Sequence, residues 1–204
     1  DIDVTTHVYG TALQLPVLEK PGYTFYGWYP NAELTGDPVY SIGATDMGDK
    51  TFYAKWTTNT YYIAYNPAGA DGSEPMPNSA CTYDAESPLA ANTYTRTGYE
   101  FLGWATAAQA SSITYTDGQS VKNLTDVNSE VVELFAVWKP NTYTVTFSQG
   151  EPTTPGTASI EATYDAPLQV VICPDSVGYA FGGYFTEENG GGVQYYTYEG
   201  KSAV

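Results

Sequence analysis

The sequence predicts a mainly β protein, α+β at most, built from small domains in tandem. Three observations lead to this prediction. The 204 residues include 20 Tyr, 20 Gly and 13 Pro, a composition that favours short strands and interrupts helices. Bulky and small side chains alternate in segments such as residues 143–147, which is typical of half-buried strands. Finally, one set of motifs returns along the chain.

The most regular motif begins with Gly-Tyr and ends with Gly followed by an aromatic residue. It occupies residues 22–28, 98–104 and 178–184. A second motif, an aromatic segment followed by Asn-Thr-Tyr, covers residues 51–65 and 133–147. A third, Val-Tyr-Gly or Thr-Tyr-Asp, stands upstream of each Gly-Tyr at residues 8–10, 82–84 and 163–165. Motifs that recur in the same order indicate internal repeats.

The motifs divide the chain into three repeats. Residues 1–58 form repeat 1, which lacks the first strand, and residues 59–139 form repeat 2, which is complete. Residues 140–204 form repeat 3, which lacks the last strand. Only four residues separate Trp56 from Tyr61 and Trp138 from Tyr143. Because links this short restrict motion more than a Gly/Ser tether, we expect an extended array.

The combined motifs resemble the Listeria–Bacteroides repeat family, which includes the B repeats of internalin-type surface proteins. The match is fullest in repeat 2, at residues 82–84, 96–104, 115–121 and 135–138. The resemblance implies β-grasp-like domains on bacterial proteins that are secreted or attached to the cell wall. It further implies an extracellular, cell-surface localisation and a role as stalk, adhesin or both. Repeat 3 departs from the pattern, with Tyr184 where the others have Trp28 and Trp104.

The charge of the chain excludes some partners. With 23 acidic and 7 basic residues, the formal net charge is −16, so the chain would repel nucleic acids and anionic lipid surfaces. The longest apolar run, residues 131–138, is interrupted by Glu133 and is far shorter than the about 20 residues of a membrane-spanning helix. We therefore expect no nucleic acid partner and no membrane insertion. The expected partners are neighbouring repeats of the same chain and a host or cell-surface protein or glycan.

Aromatic residues recur at equivalent positions, and we interpret them as the structural core because a small domain relies on large side chains for burial. They are Tyr23, Phe25, Trp28, Trp56, Tyr99, Phe101, Trp104, Trp138, Tyr179, Phe181 and Tyr184. An aromatic platform for sugars or a receptor peptide is the alternative interpretation of the tryptophans. The candidate ligand face consists of Tyr195, Tyr196 and Tyr198, with Tyr196 and Tyr198 on one side of an alternating strand.

We expect no catalytic residue, cofactor or metal site. His7 is the only histidine, so Ser-His-Asp, Cys-His and His-based zinc sites lack their base or most of their ligands. Cys81 and Cys173 do not recur among the repeats, and we interpret both as small buried residues. The sequence thus predicts a non-catalytic stalk or spacer with an adhesive role. The alternative is a glycan- or host-protein-binding module that uses exposed tyrosines, and a carboxylate-based hydrolase is more distant.

Overall fold

The computed structural model describes residues 6–72 and 74–204, so the first five residues of the predicted repeat 1 lie outside the described part. Regular structure in these ranges is nearly all β, and the helical element is a short 3-10 turn at Glu188–Gly190. The predicted mainly β class is confirmed, while the β-grasp assignment stays a prediction. In the described part of the chain, no helix is long or apolar enough to cross a membrane.

The strands are short, and β10 extends one residue past the predicted end of repeat 2 at residue 139. Those of repeat 1 are β1 (Leu13–Gln14), β2 (Tyr23–Tyr29), β3 (Ser41–Ile42) and β4 (Tyr53–Thr58). Those of repeat 2 are β5 (Thr60–Asn66), β6 (Ser79–Thr82), β7 (Ser87–Pro88), β8 (Tyr99–Ala105), β9 (Ser120–Val121) and β10 (Val131–Pro140). Those of repeat 3 are β11 (Thr142–Thr146), β12 (Ser159–Thr163), β13 (Tyr184–Phe185) and β14 (Gln194–Tyr196).

Repeat 2 contains a four-stranded sheet with the order β6-β5-β10-β8. Strand β5 runs antiparallel to β6 and parallel to β10, with residues 62–66 of β5 aligned to residues 131–135 of β10. In repeat 1, β2 pairs with β4, and in repeat 3, β11 pairs with β12. The sheet of repeat 2 therefore contains counterparts of both pairs. Its β5-β6 pair corresponds to β11-β12 of repeat 3, and its β8-β10 pair corresponds to β2-β4 of repeat 1.

Contacts divide the chain into two compact units. One comprises residues 1–68, 74–93 and 103–136, and the other comprises residues 69–73, 94–102 and 137–204. Strands β8 and β10 contribute residues to both units. The units thus differ from the repeats defined by motifs, and the repeat boundaries after residues 58 and 139 stay a prediction from the sequence.

The core of repeat 2 is built on alternate residues of β5. Tyr61, Ile63 and Tyr65 are 1%, 0% and 5% exposed, whereas Tyr62 between them is 38% exposed, as the alternation of side chains along a strand requires. The Tyr65 ring lies 4.9 Å from that of Trp104, which is completely buried. Strand β5 therefore supplies one wall of this core.

The predicted core residues differ in how deeply they are buried. Trp104 is completely buried. The half-buried ones are Tyr23, Phe25, Trp28, Trp56, Tyr99, Phe101, Trp138, Phe181 and Tyr184. Tyr179 is 82% exposed, so its assignment to the core is wrong. The physical reason is that no atom of the described residues lies within 4 Å of the position that a β-carbon at the neighbouring Gly178 would occupy, so no ring covers this turn.

Candidate functional site: the junctions between repeats

The same turn precedes the aromatic strand in all three repeats. Its glycines, Gly22, Gly98 and Gly178, have φ values of +76°, +76° and +83°, a conformation that glycine adopts readily and other residues adopt with strain. In each turn the tyrosine N–H donates a hydrogen bond to the carbonyl three residues earlier. These pairs are Tyr23 with Lys20, Tyr99 with Arg96, and Tyr179 with Ser176, at 3.0 to 3.1 Å.

The first junction joins the turn of repeat 1 to the Thr-Tyr-Asp motif of repeat 2. The Tyr83 ring lies so close to Gly22 that a β-carbon at Gly22 would overlap it. The rings of Tyr23 and Tyr83 meet edge to face at 6.1 Å, a preferred arrangement of aromatic pairs. The Tyr23 hydroxyl donates a hydrogen bond of 2.8 Å to the Asp84 carboxylate. One turn therefore receives both the ring and the carboxylate of the next repeat.

Asn59, the residue between β4 and β5, completes the first junction. Its backbone N–H donates to the Gly22 carbonyl at 2.9 Å, and its carbonyl accepts from the Tyr83 N–H at 2.9 Å. Its side-chain oxygen accepts from the Thr24 hydroxyl, and its side-chain NH2 group donates to the Asp126 carbonyl, both at 2.7 Å. Asn59 is 7% exposed. The link between the two repeats is thus buried and hydrogen-bonded.

The second junction repeats the first with equivalent residues. Tyr164 covers Gly98 as Tyr83 covers Gly22, and its ring meets that of Tyr99 edge to face at 5.7 Å. The Tyr99 hydroxyl donates to Asp165 at 2.9 Å. The Asn141 N–H donates to the Gly98 carbonyl at 2.8 Å, and the Asn141 carbonyl accepts from Tyr164 at 2.9 Å. Equivalent motifs therefore build equivalent junctions.

Charged groups reinforce both junctions. The Lys20 ammonium lies 3.5 Å from the centre of the Tyr23 ring, and the Arg96 guanidinium lies 3.7 Å from that of Tyr99, within cation–π range. The hydrogen bonds from Asn123 and Tyr23 lower the pKa of Asp84, and the hydrogen bond to Asp84 raises the pKa of Tyr23. At neutral pH this pair is therefore an ionised acceptor and a protonated donor.

The turn of repeat 3 has the same backbone but is open within the described residues. Tyr179 is 82% exposed, and Ser176 stands where the other turns have a cation. At the other end, the counterpart of Tyr83-Asp84 in repeat 1 is Tyr9-Gly10. Tyr9 is 66% exposed, and Gly10 offers no carboxylate. Each outer repeat therefore presents half of a junction.

The structure separates the members of the candidate ligand face. Tyr195 and Tyr198 are 44% and 66% exposed, but Tyr196 is completely buried. The Tyr196 ring packs 5.3 Å from that of Phe147, and its hydroxyl donates to the Gln169 carbonyl at 3.0 Å. The predicted shared side for Tyr196 and Tyr198 is therefore wrong. The cause is that β14 ends at Tyr196, so strand alternation does not continue to Tyr198.

The remaining polar candidates are placed as follows. Cys81 is 1% exposed, as expected of a small core residue, and Cys173 is half-buried. His7 contacts the Thr11 carbonyl. In residues 6–72 and 74–204, no group of three or more His, Cys, Asp or Glu side chains is arranged to hold a metal ion.

The sequence analysis missed the role of the asparagines and aspartates at the junctions. Asn59 and Asn141 recur within Asn-Thr-Tyr, and Asp84 and Asp165 recur within Thr-Tyr-Asp. This recurrence was a usable signal, because loop positions are otherwise variable. The recurrence does not reveal which residues each motif contacts, because those residues lie in the preceding repeat.

Comparisons with known proteins agree with the motifs. The profile described as Listeria-Bacteroides repeat domain matches residues 2–55, 61–128 and 143–203. A protein of Evansella cellulosilytica named "Putative Gly-rich membrane protein" is 26% identical over 178 residues, which cover 84% of this chain and 20% of the relative. Another from that organism, named "Putative membrane protein", is 29% identical over 193 residues, which cover 92% and 27%. The chain thus spans about a fifth to a quarter of these relatives, and no solved structure matches it.

Replacing Gly98 with Ala tests the close approach of the Tyr164 ring. We expect Gly98→Ala to destabilise the junction by about 1 kcal/mol through the positive φ and by about a further 1–3 kcal/mol through overlap with the ring. Gly118→Ala is the matched control, because Gly118 also has a positive φ, +66°, but has no atom near its missing side chain. Urea unfolding and amide exchange at Asn141 provide the measurement. Equal losses for the two variants would contradict the role of the ring.

Proposed function

Because the chain belongs to the Listeria–Bacteroides repeat family, we propose that it is a non-catalytic spacer segment, with an adhesive role, of a bacterial surface protein. The protein would be secreted or attached to the cell wall, and its repeats would hold adhesive surfaces away from the cell. The observation that carries this function is the junction between repeats, which occurs twice with equivalent residues and equivalent hydrogen bonds.

A spacer requires links that do not swivel freely. Strand β4 ends at Thr58 and β5 begins at Thr60, so Asn59 alone lies between them. Strands β10 and β11 are likewise separated by Asn141 alone. Rotation at Asn59 would break hydrogen bonds of a residue that is 7% exposed, and unpaired buried polar groups are costly. This favours a spacer over domains joined by a flexible tether.

The surface location is supported by the names of the relatives and by charge. Two relatives are named as membrane proteins, and the resemblance to internalin-type repeats also implies the cell exterior. A net charge of −16 keeps a protein soluble and repels anionic surfaces. These properties suit a segment that stands away from the cell envelope.

A non-catalytic role is supported by the carboxylates whose pKa is shifted. Hydrogen bonds from Thr97, Asn123 and Lys201 lower the pKa of Asp71, Asp84 and Glu199, respectively. A lowered pKa keeps a carboxylate ionised, whereas a general acid at neutral pH requires a raised pKa. These three groups therefore stay ionised at neutral pH and accept hydrogen bonds, which does not suit them to act as general acids.

The adhesive role is supported by tyrosines exposed on repeat 3. Tyr179, Tyr195 and Tyr198 are 82%, 44% and 66% exposed. Tyrosine combines apolar area with a hydrogen-bonding hydroxyl, and it is enriched at interfaces. This observation also favours the second candidate function, a module whose main role is to bind a glycan or a host protein.

Removing the side chain of Asn59 tests the spacer function. Asn59→Ala leaves the Thr24 hydroxyl and the Asp126 carbonyl without this partner, which we expect to cost about 1–3 kcal/mol. Residual dipolar couplings should fit one alignment for repeats 1 and 2 in the unaltered chain and two alignments in the variant. Asn78→Ala, at an exposed position, serves as the control. Independent alignment of the two repeats in the unaltered chain would overturn the spacer function.

Glycan and host-protein arrays test the adhesive role. We expect the unaltered chain to bind at least one array member, and we expect Tyr195→Ser with Tyr198→Ser to reduce that signal about tenfold or more. Tyr40→Ser is the control, because Tyr40 is 61% exposed but lies on repeat 1. The absence of any signal from the unaltered chain would remove the adhesive role, and equal loss in the control would reject these tyrosines as its basis.

A further inference from the structure

Repeat 1 contains a large cavity of about 1190 Å³. Its lining includes the apolar side chains of Leu15, Trp28, Ile42 and Phe52. All four are half-buried. The cavity is open to solvent on one side, so it leaves apolar side chains of repeat 1 uncovered that a close-packed core would bury.

The four lining residues have counterparts in the core of repeat 2. Backbone contacts establish two of these pairs. The Leu15 N–H donates to the Tyr40 carbonyl, and the Leu89 N–H donates to the Gln119 carbonyl in the same way. Trp28 forms a backbone bridge with Val39, and Trp104 forms the equivalent bridge with Tyr115. The strand register aligns Ile42 with Val121, and the Phe-Tyr-Ala and Leu-Phe-Ala segments align Phe52 with Leu134. The counterparts are buried: Leu89, Trp104, Val121 and Leu134 are 3%, 0%, 5% and 0% exposed.

What occupies the equivalent position in repeat 2 is strand β5. Its inward residues Tyr61, Ile63 and Tyr65 are 1%, 0% and 5% exposed. In the described residues of repeat 1, no strand corresponds to β5. The cavity therefore has the location of a strand that carries three large side chains at alternate positions.

The backbone beside the cavity shows the same difference. In repeat 2, β10 begins at Val131, and residues 131–135 pair in parallel with β5. The equivalent segment of repeat 1 is residues 49–53, yet β4 begins only at Tyr53. Residues 49–52 line the cavity and are not assigned to a strand. Among the described residues no strand pairs with this segment, so its backbone is placed to accept an added strand.

We propose that this cavity is the seat of an incoming β-strand with the pattern of β5, aromatic-x-aliphatic-x-aromatic, which runs parallel to residues 49–53. The strand is supplied by the polypeptide that precedes residue 1 in a longer protein. Main-chain hydrogen bonds to residues 49–53 hold it, and its alternate side chains fill the cavity, as in other cases of β-strand addition. The relatives, of which this chain covers 20% and 27%, are long enough to supply such a segment.

The apolar surface of the seat fits this occupant. Trp28 and Phe52 provide apolar contacts for its inward side chains. His7 occupies the position of Cys81, which is the direct partner of Tyr61 in repeat 2. An aromatic side chain from the incoming strand would therefore face His7. The added strand would complete the core of repeat 1 whether or not the chain acts as a spacer.

The test adds the missing strand at the spacing found in repeat 2. A second copy of residues 59–74 is placed directly before Asp1, which reproduces at His7 the separation between Tyr61 and Cys81. The control carries the same extension with Tyr61→Thr, Ile63→Thr and Tyr65→Thr in the added copy. Hydrogen exchange of the amides of residues 49–53 is measured in the unextended chain, the extended chain and the control.

We expect the extension to slow exchange of these amides about tenfold or more, and we expect the control to match the unextended chain. Equal exchange in extension and control would overturn the assignment of the cavity. Light scattering identifies the source of the strand. Protection in a monomer supports insertion from the same chain, and protection found only in a dimer overturns the proposal that the same chain supplies the strand. A separate peptide of residues 59–66 provides a second measurement. It should slow exchange at residues 49–53 of the unextended chain, and no effect at saturating peptide would count against the seat.

Discussion

The contact between a tyrosine ring and the glycine that precedes strands β2 and β8 is the constraint on which the junctions depend. Gly22 and Gly98 have positive φ values, which the turn requires, and they have no side chain, which the approach of Tyr83 and Tyr164 requires. Beside each ring, the N–H of Asn59 or Asn141 donates a hydrogen bond to the carbonyl of the same glycine. One residue type therefore serves both the local turn and the attachment of the next repeat.

The three repeats pack differently because they contain different sets of paired strands. Repeat 2 contains the strand pairs β6-β5 and β10-β8, and β5 closes its core. Repeat 1 has the β2-β4 pair and a cavity, and repeat 3 has the β11-β12 pair and a small core around Phe147 and Tyr196. Because no strand among the described residues of repeat 1 supplies the large side chains that β5 supplies in repeat 2, the apolar lining of the cavity is left uncovered. The junctions, by contrast, need only short motifs and form wherever two repeats adjoin.

The sequence alone was sufficient for the β class and the repeat pattern, because alternation and recurring motifs are local properties. It could not determine which aromatic residues are covered. Tyr179 shares the Gly-Tyr-x-Phe pattern of Tyr23 and Tyr99, but its exposure depends on whether a neighbouring motif covers the turn. Tyr196 was misplaced because alternation holds only while the strand lasts. The junction itself was missed since it joins residues that are more than 60 positions apart, such as Tyr23 and Asp84.

A double-mutant cycle on Tyr99 and Asp165 tests most directly whether the junction couples adjoining repeats. Tyr99→Phe, Asp165→Gly and the double variant are compared with the unaltered chain through amide exchange at Tyr164, because glycine removes the acceptor and suits the positive φ of Asp165, +57°. If the hydroxyl and the carboxylate act together, the double variant should lose less protection than the sum of the two single losses, because each change removes the same hydrogen bond. Losses that simply add would contradict the account, since they would show that the two side chains stabilise their own repeats independently.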